Sequence, residues 1–162
     1  MNATQRIVPA LWFDDNAEVA VDFYSSIFKN SKVLSISHYT EAGYRTPGSV
    51  LAISFELDGL EYAAINGGPI FKFTPAISLM VKCDSQDEVD YYWDKLLVDG
   101  EASQCGWLTD KFGVSWQIVP QLLLDLLVDK DSEKVTRVTQ AMLQMIKLDS
   151  AVLLKAYEET TK

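Results

Sequence analysis

Imidazole and thiol are scarce in this 162-residue chain, which has a single histidine, His38, and two cysteines, Cys83 and Cys105. Two cysteines in no C-x-x-C spacing make neither a disulfide framework nor a thiolate metal cluster, and they fit a reducing, cytoplasmic compartment. Positive charge is short as well: 14 Lys and Arg stand against 23 Asp and Glu, a formal net charge of −9. No basic run occurs, so nucleic acid and anionic membrane are not expected partners, because both need clustered cations to displace counterions. Long apolar runs are also missing. The greasiest, Leu122 to Val128, is interrupted by Asp125 and falls far below the roughly 20 residues of a membrane helix. Met1 to Arg6 lacks the apolar core of a signal peptide. What remains is an ordinary globular composition, 48% apolar and 23% charged, in a chain long enough to bury about two-thirds of its unfolded surface.

The apolar run Ile7 to Phe13 stops at Asp14-Asp15-Asn16, a turn and helix-cap cluster, and reads as strand followed by helix. From Ala17 the positions Ala17, Ala20, Val21, Tyr24, Ile27 and Phe28 fall on one helical face, and the helix ends near Asn30. Val33 to Thr40 alternates as a half-buried strand, with Leu34, Ile36 and His38 on one side. Val50 to Leu57 alternates more cleanly, Leu51, Ile53, Phe55 and Leu57 against Ala52, Ser54 and Glu56. Asp58-Gly59 predicts a tight hairpin into Leu60 to Asn66, and Gly67-Gly68-Pro69 breaks the chain.

The same order of events then restarts, as in an internal repeat. Ile77 to Val81 reads as a strand and Asp84-Ser85 as a cap. Glu88-Val89-Asp90-Tyr91-Tyr92 opens a helix that echoes Glu18 to Tyr24 and that Gly100 closes. Short strands follow near Ala102 and from Trp107, then the turn Asp110-Lys111-Phe112-Gly113, then Val114 to Val119, ended by Pro120. The predicted fold class is α+β: two βαβββ modules, over 1–69 and 70–120, with a helical extension over 121–162. In that extension Asp131-Ser132-Glu133 marks a helix start, Val135, Val138, Met142 and Met145-Ile146 form an apolar stripe, and Asp149 to Glu159 reads as a last helix.

Particular strings carry a resemblance. Leu11-Trp12-Phe13-Asp14 with Ala17-Glu18 and Phe23-Tyr24, then Asn66-Gly67-Gly68-Pro69, Phe71-Lys72-Phe73, Ile77-Ser78-Leu79 and Asp110-Lys111-Phe112-Gly113-Val114-Ser115-Trp116-Gln117, are similar to the PhnB-like subfamily of the vicinal oxygen chelate superfamily. That superfamily includes glyoxalase I, extradiol dioxygenases and fosfomycin and bleomycin resistance proteins, and the subfamily is often labelled 3-demethylubiquinone-9 3-methyltransferase. The likeness spans Ile7 to Pro120. It implies a homodimer and a sheet cup that takes a small-molecule ligand, in the superfamily often through a divalent metal held by two His and a Glu. Carried onto this chain by the resemblance, those ligand positions fall near Pro9, near Ser78 and at Gln117. Proline has no donor, a serine hydroxyl and a Gln carbonyl are weak neutral ligands, and no second imidazole exists, so no metal and no other cofactor is expected. Methyl transfer is not expected either. Sites for S-adenosylmethionine usually rest on a doubly wound sheet with a glycine-rich first turn, and Gly67-Gly68 leads to Pro69 rather than into a helix.

Strand parity nominates the cup lining. Ser115 and Gln117 alternate with Val114, Trp116 and Ile118, while Ser78 and Met80 alternate with Ile77, Leu79 and Val81; the first strand adds Leu11 and Phe13 beside Pro9. Phe13, Asn66, Ser78, Trp107, Ser115 and Gln117 are the candidate ligand-binding residues. Asn66-Gly67-Gly68 either presents an amide and bare N–H groups to a ligand or serves as a module linker, and Trp12 and Trp107 either stack on a ligand or fill cores. His38 and Glu56 are the candidate catalytic residues. His38 would need a carboxylate partner such as Glu56 or Asp110. Glu56 is a general acid or base if its face is the cup, and a solubilising charge if it meets water. The function so read is a metal-free, PhnB-like small-molecule-binding protein. Its rivals are a metal-dependent glyoxalase- or dioxygenase-type lyase or isomerase using His38, Glu56 and Gln117, and a drug-sequestering resistance protein.

Overall fold

The apolar stripe beginning at Ala17 needs a surface to cover it, and the alternating strands around it provide one. The structure, a computed structural model, describes residues 5–159. The chain divides into two compact units, one up to Lys72 and one from Phe73 on. In the first, β1 (Ala10–Phe13), α1 (Ala17–Ile27), β2 (Lys32–His38), β3 (Val50–Leu57) and β4 (Leu60–Asn66) form a sheet of order β1-β4-β3-β2. β1 runs parallel to β4, and the other neighbours are antiparallel. α1 buries Ala17, Ala20, Val21, Tyr24 and Ile27, and the sheet buries Leu11, Phe13, Ile53, Phe55, Leu57 and Ala64. Each large apolar side chain so enclosed contributes about 1.5–3 kcal/mol. Asp58 and Gly59 both take positive φ, 49° and 78°, the conformation a two-residue hairpin of matching twist requires.

Two expectations for this unit are corrected. The strand begins at Ala10 rather than Ile7, and Ile7 stands 87% exposed. β2 is not half-buried: every one of its residues is exposed. β2 is the edge strand of its sheet, and register shifts between Val33 and Ser35 and between Ser37 and His38 interrupt its ladder.

The second unit repeats the topology. β5 (Leu79–Cys83), α2 (Gln86–Leu96), β6 (Glu101–Ala102), β7 (Trp107–Thr109) and β8 (Ser115–Pro120) form a sheet of order β5-β8-β7-β6, again with its first and last strands parallel. β5 starts two residues later than expected, and Ile77, assigned to the core face, is 76% exposed. Ser85 caps α2 by accepting from the Glu88 N–H, while the Glu88 carboxylate reaches back one residue beyond the cap to accept from the Asp84 N–H, a variant of the capping box. At the other end the left-handed residue is Asp99 (φ 57°) rather than Gly100; Gly100 instead lies against the Thr109 carbonyl, where a Cβ would collide.

The extension folds as α3 (Gln121–Leu127), α4 (Ser132–Leu143) and α5 (Ser150–Glu158) and clusters with the second unit. Asp131 and Asp149 cap α4 and α5. Val119, Leu123, Leu126, Val138, Leu148 and Leu153 form one buried cluster. Of the expected α4 stripe only Val138 is fully buried, and Ile146, beyond the helix, is 56% exposed. Arg137 donates to the carbonyls of Ala156 and Tyr157, satisfying the open end of α5.

Polar contacts fasten the extension to α2 and β7. Gln86 donates to the Leu148 carbonyl and accepts from the Ser150 N–H. Lys147 pairs with Asp90 at 2.6 Å and Asp94 at 3.4 Å. The N–H groups of Cys105 and Gly106 donate to the carbonyls of Met145 and Ile146.

Candidate functional site

Cross-strand partners in an antiparallel pair share a face, so the ladders decide which side chains leave the helix-covered side of each sheet. In the first unit Phe13 pairs with Asn66 and Leu11 with Ala64, and Ala64 with Ile53. Phe13 is 3% exposed and Leu11 5%. Both lie on the buried side with α1, so the placement of Phe13 in the cup is corrected; Trp12 takes the other face instead. The run Leu11-Trp12-Phe13 is apolar throughout, which hides its parity.

Trp12 is itself occupied. Its indole N–H donates to the Gly68 carbonyl at 2.9 Å, and its ring meets Phe71 edge-on at 5.1 Å. A Cβ on Gly67 would fall within that ring, so glycine there admits the indole. Asn66 is 3% exposed and equally committed: its Oδ1 accepts from the Ala17 N–H at 2.9 Å, and its Nδ2 donates to Glu18 at 2.7 Å and to the Val50 carbonyl at 3.1 Å. Tyr39 donates to the Asn66 carbonyl at 2.6 Å. A polar cleft of about 430 Å³ opens beside these groups, with Asp15, Glu18 and Arg45 on its walls, but Arg45 is held by Asp14 at 2.8 Å.

The two candidate catalytic residues are not brought together. Glu56 pairs across the ladder with Lys32, and His38 with Val50, so six residues of β3 separate their positions, roughly 20 Å. Glu56 shares the face of Ser54 and meets the Lys32 ammonium at 3.1 Å, while His38 is exposed at the end of the edge strand. Asp110, the other suggested partner for His38, is 4% exposed. Its carboxylate accepts from the N–H groups of Phe112 and Val114 and from the Trp116 indole. It organises its own turn.

The second sheet does assemble candidates. Trp116 and Ile118 are buried on the α2 side, which leaves Ser115 and Gln117 on the opposite face, Gln117 half-buried and Ser115 closed from solvent at 3% exposure. Gln117 pairs with Met80 on one flank and with Trp107 on the other; Ser115 pairs with Thr109. The Gln117 amide Nε2 donates to Ser78 Oγ at 2.8 Å. Four candidates, Ser78, Trp107, Gln117 and the buried Ser115, therefore share one face with Met80 and Thr109, and Glu101, the partner of Thr109, extends it at the sheet edge. Thr109 escaped the sequence reading because three residues of β7 carry too little alternation to display a face. Val119, the next residue of the same parity, is 4% exposed beneath the extension and ends this face.

This donor set does not suit a divalent metal. A hydroxyl and a carboxamide bonded to each other offer neither the negative charge nor the imidazole that holds a transition ion. Among the described residues no group of three or more His, Cys, Asp or Glu is placed to hold one. Cys83 is no nucleophile either: burial first, then Glu88 and Asp84, push its thiol up to about 12. No helix among the described residues is long and apolar enough to cross a membrane.

Comparison with known proteins adds relatives to this geometry. The family described as 3-demethylubiquinone-9 3-methyltransferase matches residues 5–119. No curated protein matches the chain. Among solved structures, a PhnB protein from Bacillus cereus is 39% identical over 72% of this chain and 99% of its own, with a TM-score of 0.66. A protein from Pseudomonas aeruginosa is 18% identical over 70% and 95%, TM-score 0.59. The fosfomycin resistance protein FosX of Listeria monocytogenes, solved with Mn(II) and sulfate, is 19% identical over 70% and 89%, TM-score 0.50. The last two share the fold.

Proposed function

The chain belongs to the PhnB-like family described as 3-demethylubiquinone-9 3-methyltransferase, and from that premise we propose that it binds a small organic molecule on the open face of its second sheet, without a transition metal, as a homodimer in the cytoplasm. The observation that carries the reading is the Gln117–Ser78 hydrogen bond. It ties together two of the positions where the superfamily resemblance implies metal ligands, and it replaces them with a neutral pair flanked by Trp107 and Met80. Such a surface, an indole and a thioether flanking a few convergent neutral polar groups, suits an organic ligand.

The family description implies a methyl donor, and the residues present do not fit one. Each sheet is mixed and four-stranded, and neither opens a helix from a glycine-rich turn of the kind that cradles S-adenosylmethionine. Gly67 and Gly68 serve Trp12 instead.

Elemental analysis of freshly purified protein, paired with gentle native mass spectrometry, tests the reading. The expected result is sub-stoichiometric transition metal and a small-molecule adduct that Gln117→Leu abolishes. A transition metal near one per chain, lost in the same variant, overturns it.

A further inference from the structure

We infer that the ligand group seated against Gln117 is uncharged and planar, with a hydrogen-bond donor and acceptor side by side as in an aromatic carboxamide or lactam. This rests on the proposed binding at the open face and adds the charge and shape of what is bound.

The open face is ordered in two ranks by the strand register. Met80, Gln117 and Trp107 form one, since Gln117 pairs with both neighbours. Ser115 and Thr109 form the next, with Ser78 alongside, just ahead of β5. No member of the first rank carries a formal charge; the second is extended on its far strand by Glu101, which pairs with Thr109 and is exposed. Gln117 spends one N–H on Ser78, which leaves its Oε1 as an acceptor, its second N–H as a donor, and the Ser78 hydroxyl proton as a further donor. A donor beside an acceptor, both neutral, is complementary to a group of the same kind reversed.

Against Gln117 itself an anion finds donors but no compensating cation, and a cation finds one carbonyl and no adjacent carboxylate, since Glu101 stands two strands away; either loses its hydration without adequate return. The closest formal charge by register is Lys82, paired with Val119 one rank beyond Gln117 and exposed, roughly 7 Å along the strand. Trp107 adds the flat surface. An indole beside an amide favours a conjugated ring that stacks while its substituent bonds, and the Met80 thioether on the opposite flank accommodates an aromatic edge.

Three probes of nearly one shape and different charge test this: benzamide, benzoate and benzamidinium, followed through the Trp107 indole N–H resonance, assigned by its loss in Trp107→Phe. The expected order places benzamide first, with each charged probe at least about tenfold weaker, and Gln117→Leu costs benzamide about tenfold, the worth of one ordinary hydrogen bond. Gln117→Glu reverses the order in favour of benzamidinium, which keeps the test valid if the leucine variant loses its spectral dispersion. Benzoate or benzamidinium binding the unaltered protein as tightly as benzamide overturns the charge assignment and leaves the binding face standing. No shift of the Trp107 resonance by any probe overturns both.

Discussion

Asn66, at the end of β4, caps helix α1 in place of Asn16, the residue that sits at the cap position: its Oδ1 receives the Ala17 N–H, and Asn16 makes no side-chain cap bond. The same amide donates to Glu18 and to the Val50 carbonyl. Asn66→Ala is therefore expected to destabilise the protein by about 2–3 kcal/mol, from a lost cap and buried groups left unpaired. Asn66→Asp sets two carboxylates together, and Glu18→Gln should restore part of that loss. Urea midpoints of the singles and the double variant measure it; an Asn66→Asp loss that Glu18→Gln does not reduce contradicts the account.

Gly67→Ala should be costly although glycine there has no positive φ, because the new methyl falls within the Trp12 ring. A loss of about 1–3 kcal/mol is expected from overpacking. Combining it with Trp12→Leu should recover much of the loss, which a double-mutant cycle by thermal melting would read.

Lys147→Gln probes the fastening of the extension to α2. Hydrogen bonds from Lys147 and then Gln86 hold the Asp90 carboxyl below its ordinary value. Burial pulls the Lys147 ammonium down, but Asp90 and Asp94 outweigh it and raise it. A lowered carboxyl stabilises fully above its unfolded value and less as pH falls through the folded one; a raised ammonium stabilises fully below its ordinary 10.5 and less as pH climbs past the folded value. The gap between wild type and Lys147→Gln should be about 0.3–1 kcal/mol for so exposed a pair. It should be widest near neutrality and close below about pH 4 and in strong alkali. Chemical unfolding across that range checks this, and a gap unchanged from acid to alkali refutes it.

Cys83 is expected to resist thiol reagents in the folded protein at pH 8, being 1% exposed and raised to about 12, since the thiolate is the reacting form. Cys105, partly exposed, should take the label first. Peptide mapping after brief iodoacetamide treatment reads the ratio, and equal labelling of both cysteines in the native state would count against the packing around β5.

Where polar and apolar residues alternate, the sequence told the faces. Val114, Trp116 and Ile118 against Ser115 and Gln117 gave β8 correctly, and with it the two candidates that now lie together with Ser78 and Trp107. Where everything is apolar, as in Leu11-Trp12-Phe13, nothing local distinguishes core from cup, and Phe13 was misplaced. β2 misled for the opposite reason: its alternation is real, but it lies at the edge of its sheet with both faces exposed. The roles of Asn66 and of Gln86, whose partners lie 49 and 62 to 64 residues away, depend on long-range contacts that no local pattern encodes.

β2 runs for seven residues at the rim of its sheet, while its counterpart β6 has two. The backbone between β6 and β7 gives its Cys105 and Gly106 hydrogens to Met145 and Ile146. A chain stopped after Pro120 would therefore bare those hydrogens together with the oily flank of Val119, a combination that invites clumping. Staying dispersed in water is thus partly a service the tail performs for the sheet.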